Sequence, residues 1–283
     1  LVSFEIALNI KDLHILEGLK SYFGVGRIYK HSENMMRYKV SSIKELSLII
    51  QHFEKYPLMT RSFGLPSAAA GGDRGQKRAD FELFKKAVAI ISKGTGLLSQ
   101  EELREIVNLK ASLNKGLSPT LKELFPHTIP AERIQVKDEL QRNNPEHAEW
   151  LAGFVEAEGN FHLGITKNSG LRLGEAVRLI FTLTQHYRDE ILLRSFDKFF
   201  DGSGNFSMRK GGLPCDYKIS EFKDLCNIII PFFNKYPLYG TKLTNFNEFV
   251  KAAEIIKHRE HLTPEGLKKL HEIKSRMNIL DKT

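Results

Sequence analysis

Glu158 occupies a position that asks for a chemical explanation. It closes the stretch NPEHAEWLAGFVEAE, residues 144–158, and Gly159 follows it. A carboxylate in the last turn of a helix meets the negative end of the helix dipole and is disfavoured there. Glu158 also lies four residues after Phe154 and seven after Leu151, on the apolar stripe of that helix. A cation bound beside the carboxylate would offset the cost. A solvated glutamate at a frayed helix end is the plainer reading, and the helix by itself leaves both open.

The helix that carries Glu158 is well marked. Asn144 is a good N-cap and Pro145 suits the first helical position. Trp150, Leu151, Phe154 and Val155 recur at helical spacing. Gly153 and Ala157 stand one turn apart, so that face lets a second helix backbone approach closely. Gly159 is expected to stop the helix.

With 283 residues the chain is long enough for two domains or one large one. Its composition, 41% hydrophobic and 27% charged, fits a globular protein, and no apolar run is long enough to cross a membrane. A net charge of +8 favours a polyanionic partner. Cys215 and Cys226 are the only cysteines, which excludes a disulfide framework and a cysteine-based zinc site. The chain opens Leu-Val-Ser without an initiator Met, and it is expected to start inside something longer or to have been trimmed.

Two stretches repeat one pattern. Phe4 matches Phe181 and Asp12 matches Asp189, both 177 apart, and the shared Tyr-Pro pairs at Tyr56 and Tyr236 are 180 apart. Phe84 then matches Phe249 at an offset of 165. The first copy therefore carries an extra segment, RSFGLPSAAAGGDRG at residues 61–75, whose composition reads as a mobile surface loop. Each copy predicts a strand, a helix (11–23 or 189–200), two strands (26–31 and 35–41, or 204–209 and 215–220), a helix before the YPL turn (43–55 or 222–235), and further helices. The second copy has an opening helix and strand, 145–167, that the first lacks; the 177 offset would place a counterpart of Glu158 before residue 1. The domains read as 1–116 and 145–283, joined by a polar, proline-containing linker over 117–144.

Strand alternation separates two sheet faces. Phe161, Leu163 and Ile165 point one way with Leu179, Phe181 and Leu183. Asn160, His162, Gly164 and Thr166 point the other way with Arg178, Ile180, Thr182 and Thr184. That mixed polar set suits groove reading, although a solvated sheet face would look similar. Arg27, Lys30, Arg37, Lys39, Lys167, Arg172, Arg209, Lys210 and Lys218 lie on or beside strands, where they could contact phosphates or serve as ordinary surface charges.

The stretch WLAGFVEAEGNF, residues 150–161, resembles the motif of the LAGLIDADG homing endonucleases, and the doubled pattern is similar to the single-chain members found in group I introns of fungal mitochondria. FEKYPL (53–58), QKRADFELFKKA (76–87), LKASLNKGLS (109–118) and FTLTQH (181–186) strengthen the resemblance, which covers nearly the whole chain apart from 61–75. It implies an α+β fold of two pseudo-symmetric αββαββα repeats forming a saddle over DNA, with the first repeat lacking its opening helix and strand. It implies that Gly153 and Ala157 pack against a partner motif helix, and that Glu158 binds a divalent ion. Phosphodiester hydrolysis needs such a hard cation, Mg²⁺ by preference. The family takes one acid from each of two motifs, and this chain shows one. Lys242 resembles the family's active-site lysine and aligns with Lys77 at the 165 offset; both could equally be solvated lysines at helix starts. Gln185 resembles a polar group near the attacking water, and a strand-end hydrogen bond is its plainer role.

The leading expectation is a site-specific, Mg²⁺-dependent endonuclease acting on a long double-stranded DNA target. It would be a monomer in its complete two-repeat form, and mitochondrial. An intron RNA maturase and a cleavage-inactive DNA-binding relic are the alternatives. With one motif helix, the Gly153/Ala157 face would form an apolar patch and strand 2–8 an open edge.

Overall fold

Alternating apolar residues in FEIALN and MMRYKV, and again in GNFHLGITK and EAVRLIFTLTQH, make strands with one buried and one open face. The computed structural model describes residues 2–59, 77–93, 97–113, 116–134, 140–210 and 214–277; the expected loop at 61–75 lies outside them. The chain divides into two units, Leu1–Asp138 and Glu139–Thr283.

The first unit runs β1 (Phe4–Asn9), α1 (Leu13–Phe23), β2 (Arg27–Ser32), β3 (Met35–Val40), α2 (Ile43–Lys55), α3 (Lys77–Lys93), α4 (Gln100–Ser112) and α5 (Pro119–Leu124). Its antiparallel sheet has the order β1-β3-β2, which leaves β1 at an edge. Leu16, Tyr38, Val40, Leu46, Ile49 and Val88 form the core beneath it. The stretch after α5 docks on α4: the Ile129 and Ala131 N–H groups donate to the Asn108 side chain and carbonyl, each at 3.1 Å.

The second unit runs α6 (Pro145–Glu158), β4 (Gly159–Lys167), β5 (Glu175–His186), α7 (Glu190–Phe199), β6 (Asn205–Met208), β7 (Pro214–Ile219), α8 (Phe222–Asp224), α9 (Ile230–Lys235), α10 (Thr241–Lys257) and α11 (Pro264–Arg276). Its order is β4-β5-β7-β6, antiparallel throughout. The three strands of the first sheet thus correspond to β5, β7 and β6, and β4 is the strand without a counterpart among the described residues. Phe161 anchors the core. Its ring lies 5.2–5.4 Å from those of Phe181, Phe233, Phe246 and Phe249, which ties β4 to β5, α9 and α10.

The helix expected over 222–235 is interrupted. Leu225–Ile229 forms a π-helical turn between α8 and α9. Leu46 and Leu225 are 179 apart, whereas Ile49 and Ile229 are 180 apart, and all four side chains are buried. The second copy therefore holds one extra residue inside this turn, and widening one helical turn keeps both flanking apolar positions on the core.

Candidate active site and nucleic-acid interface

The motif helix buries Ala148, Leu151, Ala152 and Val155, whose spacing sets one face of α6 on β4 and β5. Gly153, Ala157 and Glu158 are exposed. Beyond its own helix, no heavy atom lies within 4 Å of a Cβ placed on Gly153. Trp150 stacks on Phe154 at 5.1 Å, and Phe154 meets Phe196 of α7 at 5.8 Å.

Gly159 ends the helix in an unexpected way. Its backbone is extended, at φ −79° and ψ 154°, rather than left-handed. The reason for glycine is space, since a Cβ there would lie 2.5 Å from Val155 Cγ1 and 2.7 Å from the Val155 carbonyl oxygen. The chain can therefore pass directly from α6 into β4 with Glu158 at the junction.

Lys242 occupies the first turn of α10 and is half-buried. The turn before it is tied to the motif helix, where the Glu156 carboxylate accepts the Tyr239 N–H at 2.8 Å. Phe246 and Phe249 then seat α10 on Phe161. Gly159 pairs with Leu183, so Gln185 stands two residues past the level of the helix end. Gln185 shares the strand face of Phe181 and Leu183, and its carbonyl accepts the Cys215 thiol at 3.4 Å. Lys77 is the first residue of α3, exposed, in the first unit.

Among the described residues no group of three or more His, Cys, Asp or Glu side chains could hold a metal. Mg²⁺ is commonly held by one or two carboxylates together with substrate phosphates and water. An exposed glutamate beside an open, polar sheet face fits that donor set.

The open face of the second sheet is ordered in cross-strand rows. Asn160 lies opposite Thr182, which lies opposite Lys218, which lies opposite Asn205. His162 pairs with Ile180 and Gly164 with Arg178, while Thr166 and Lys167 are exposed near the far end of β4. Burial of the His162 ring, with help from the Lys274 ammonium, lowers its pKa, so His162 is a neutral donor and acceptor at pH 7. Lys274 itself donates to the Ile165 carbonyl at 3.3 Å. Arg172 donates to the Leu262 carbonyl at 2.8 Å, and Lys210 is exposed just past β6.

The next row is Thr184, Asp216 and Ser207. The Asp216 side chain is 1% exposed. Arg209 donates to it through Nε and Nη2, each at 2.8 Å, and Thr184 Oγ1 donates at 2.7 Å. Lys218 Nζ lies 3.4 Å away. Burial pushes the Asp216 carboxyl up, but the hydrogen bonds from Arg209 and Thr184 outweigh it and hold the group below its ordinary value.

In the first sheet, Arg27, Arg37 and Lys39 share a face with Glu5, which accepts from Arg37 and Lys39 at 2.8 Å each. The hydrogen bond from Lys39 lowers the Glu5 pKa against a partial desolvation penalty. Arg37 Nη2 is also 2.6 Å from His31 Nε2. Lys30 pairs with Met36 and shares the side of Ile28 and Tyr38, so the register puts it on the opposite, helix-bearing face. Sequence periodicity could have separated Lys30 from Arg27, because the two are an odd number of residues apart.

Three contributors were missed in the sequence. Glu156 and Lys274 act through contacts 83 and 109 residues distant. Asp216 sits in an alternating strand where an acid looks like any exposed polar residue.

A sequence model of a family described as LAGLIDADG endonuclease matches residues 1–63 and 151–253. The chain is 36% identical over 283 aligned residues to probable intron-encoded endonuclease 2 of Neurospora crassa, covering 96% of this chain and 57% of that protein. It is 36% identical over 268 residues to probable intron-encoded endonuclease 3 of the same fungus, covering 94% and 46%. The chain thus spans about half the length of the curated relatives it matches. Among solved structures, I-SmaMI bound to cleaved DNA superimposes with a TM-score of 0.87 at 33% identity, covering 98% of this chain and 86% of that one. I-SmaMI has also been seen on an uncleaved DNA target in the presence of calcium ions, at a TM-score of 0.87 and 34% identity.

Proposed function

Since the chain belongs to the LAGLIDADG endonuclease family, we propose that it serves a site-specific DNA endonuclease of the homing type. In this reading Glu158 holds a divalent cation, Mg²⁺ in the cell, against the phosphate of a duplex target. The cation would supply electrophilic polarisation of the phosphoryl oxygen and acidify a bound water. The chain's own residues bind and orient. Lys242, held by the Glu156–Tyr239 bond, places a positive charge beside the reacting phosphate. Gln185 can hydrogen-bond a water near the helix end, and Lys77 would play the part of Lys242 in the first unit. The open faces of both sheets bind the duplex: Asn160, His162, Gly164, Thr166, Arg178, Ile180, Thr182 and Thr184 meet base edges. Arg27, Arg37, Lys39, Lys167, Arg172, Lys210 and Lys218 meet phosphates. Two such sheets belong to residues 1–116 and 145–283. Similarity to intron-encoded fungal proteins, among them ones named for ND4 and cox1 introns, supports a group I intron and mitochondrial setting.

The observation that carries the reading is the exposed Glu158 carboxylate at a helix end disfavoured for an acid, beside a polar sheet face. Within residues 1–283 the repeat supplies one such acid. A paired site needs two, so the 283-residue polypeptide alone should bind its target selectively without cutting both strands. Prefixing a second copy of residues 145–176 should restore Mg²⁺-dependent cutting of plasmid carrying the selected site. Efficient double-strand breaks by the unmodified polypeptide as a monomer would contradict the one-acid account. A stronger preference for intron RNA than for any duplex would favour the maturase reading instead.

A further inference from the structure

Asp216 is an acid buried in the middle of a face read here as contacting a polyanion. Its charge opposes DNA binding, so its presence calls for another role. Its partners supply one. Arg209 spends Nε–H and one Nη2–H on the two Asp216 oxygens, and Nη2 also donates to Thr184 Oγ1 at 3.1 Å. The Thr184 hydroxyl in turn donates a hydrogen bond to Asp216 Oδ1. Asp216 Oδ1 and Thr184 Oγ1 lie 2.7 Å apart and face the same Nη2–H, so of the five N–H donors in the rigid plane one on Nη1 and one on Nη2, side by side on the outer edge, remain available. The Arg209 side chain is 52% exposed although its base is clamped. The clamp holds Arg209 in one orientation before any ligand arrives, which lowers the entropy lost on binding.

The charges matter as much as the geometry. Paired with Asp216, Arg209 contributes little net charge and makes a poor phosphate anchor. A fixed pair of N–H donors suits the N7 and O6 acceptors of guanine in the major groove. The Thr184–Asp216 row also follows directly on Leu183, which pairs with Gly159 at the end of the motif helix. Arg209 is therefore tied to the row nearest Glu158.

We propose that Asp216 is a positioning residue that makes Arg209 a guanine reader rather than a phosphate anchor. This rests on the duplex-binding reading above and narrows it to one residue pair and one base.

The test starts from a randomised duplex library selected with the 283-residue chain. Affinities for the selected site and for its single-pair substitutions are then measured at two salt concentrations. Arg209→Lys keeps the charge and loses the fork; it should lose about tenfold to a hundredfold of discrimination at one or two G·C pairs and leave other positions unchanged. Asp216→Asn should relax the same pairs. It should also bind unrelated duplex more tightly, with a salt slope steeper by about one ion. In the double variant no further relaxation should appear, because the two residues act as one unit. Should Asp216→Asn fail to fold, Thr184→Val should relax the same pairs more weakly, and Arg209→Lys still decides the matter. The proposal is overturned if folded Arg209→Lys keeps full discrimination or weakens every duplex equally. A parent chain with no sequence preference would overturn the duplex-binding reading as well. A selective parent whose variants match it would overturn this proposal alone.

Discussion

The Glu156 carboxylate accepts the backbone N–H of Tyr239 at 2.8 Å, across 83 residues of sequence. Glu156 lies two residues before Glu158, and Tyr239 lies three before Lys242. One hydrogen bond therefore sets the end of the motif helix and the start of α10 in a common frame. Glu156→Ala should lower stability by about 1 kcal/mol, as expected for a single exposed hydrogen bond to a charged group. That corresponds to a fall in melting temperature of about 2–4 °C, measurable by circular dichroism. Duplex affinity should fall only slightly, because the bond places one lysine among many contacts. A variant that melts like the parent but binds DNA poorly would show that Glu156 acts on the nucleic acid instead.

Gly204 faces a ring. A Cβ there would fall 2.2 Å from Tyr217 Cζ, and the Tyr217 side chain is fully buried. Gly204→Ala should destabilise the second unit by about 1–3 kcal/mol through overpacking, seen as a lower denaturant midpoint. Adding Tyr217→Leu should recover part of the loss. Additive losses in the double variant would rule out the steric explanation.

Glu248 is 6% exposed between α10 and α11 and is held by Lys251 and by Arg276, the latter at 2.8 Å. Burial pushes its carboxyl up, but those two hydrogen bonds outweigh burial and lower its pKa. A carboxyl lowered by folding stabilises fully above its unfolded value, about 4.3. That stabilisation fades as pH falls through the lowered folded value. Glu248→Gln should therefore cost about 1–2 kcal/mol at pH 7. The parent should lose stability more steeply than the variant once pH drops below about 5. Parallel pH profiles from chemical unfolding would refute the linkage.

Burial, with Glu190 and Asp189 nearby, pushes the Cys215 thiol up to about 11. At neutral pH it should resist alkylation in the folded protein and react only on unfolding. Cys226, half-buried in the π-helical turn, should be modified first. Mass spectrometry after timed iodoacetamide treatment distinguishes the two orders.

These features differ in how far the amino-acid pattern exposes them. The division of β4 and β5 into two faces is legible because period-2 alternation is a local property, and Phe161, Leu163, Phe181 and Leu183 are all buried. The repeat offset widens by three residues before Tyr236, but nothing local says that one of them widens a turn at Leu225–Ile229 instead of lengthening a loop. Gly159 reads as a helix stop, whereas its need for space comes from Val155 one turn earlier. Asp216 is opaque for the opposite reason. Arg209, just past β6, is only seven residues away, but Thr184 comes from β5, 32 residues away, and nothing in the local alternation says that the side chain at 216 is buried between them.

The central claim is that Glu158 holds the catalytic cation at the DNA. Isothermal titration of Ca²⁺ into the complex of the 283-residue chain with its selected duplex tests it most directly, since I-SmaMI has been observed on uncleaved target with calcium ions. The parent should show Ca²⁺ binding that depends on the duplex. Glu158→Gln, which removes charge without changing shape, should weaken that binding by at least about tenfold while leaving DNA affinity in metal-free buffer intact. Equal Ca²⁺ affinity in the two complexes would contradict the assignment.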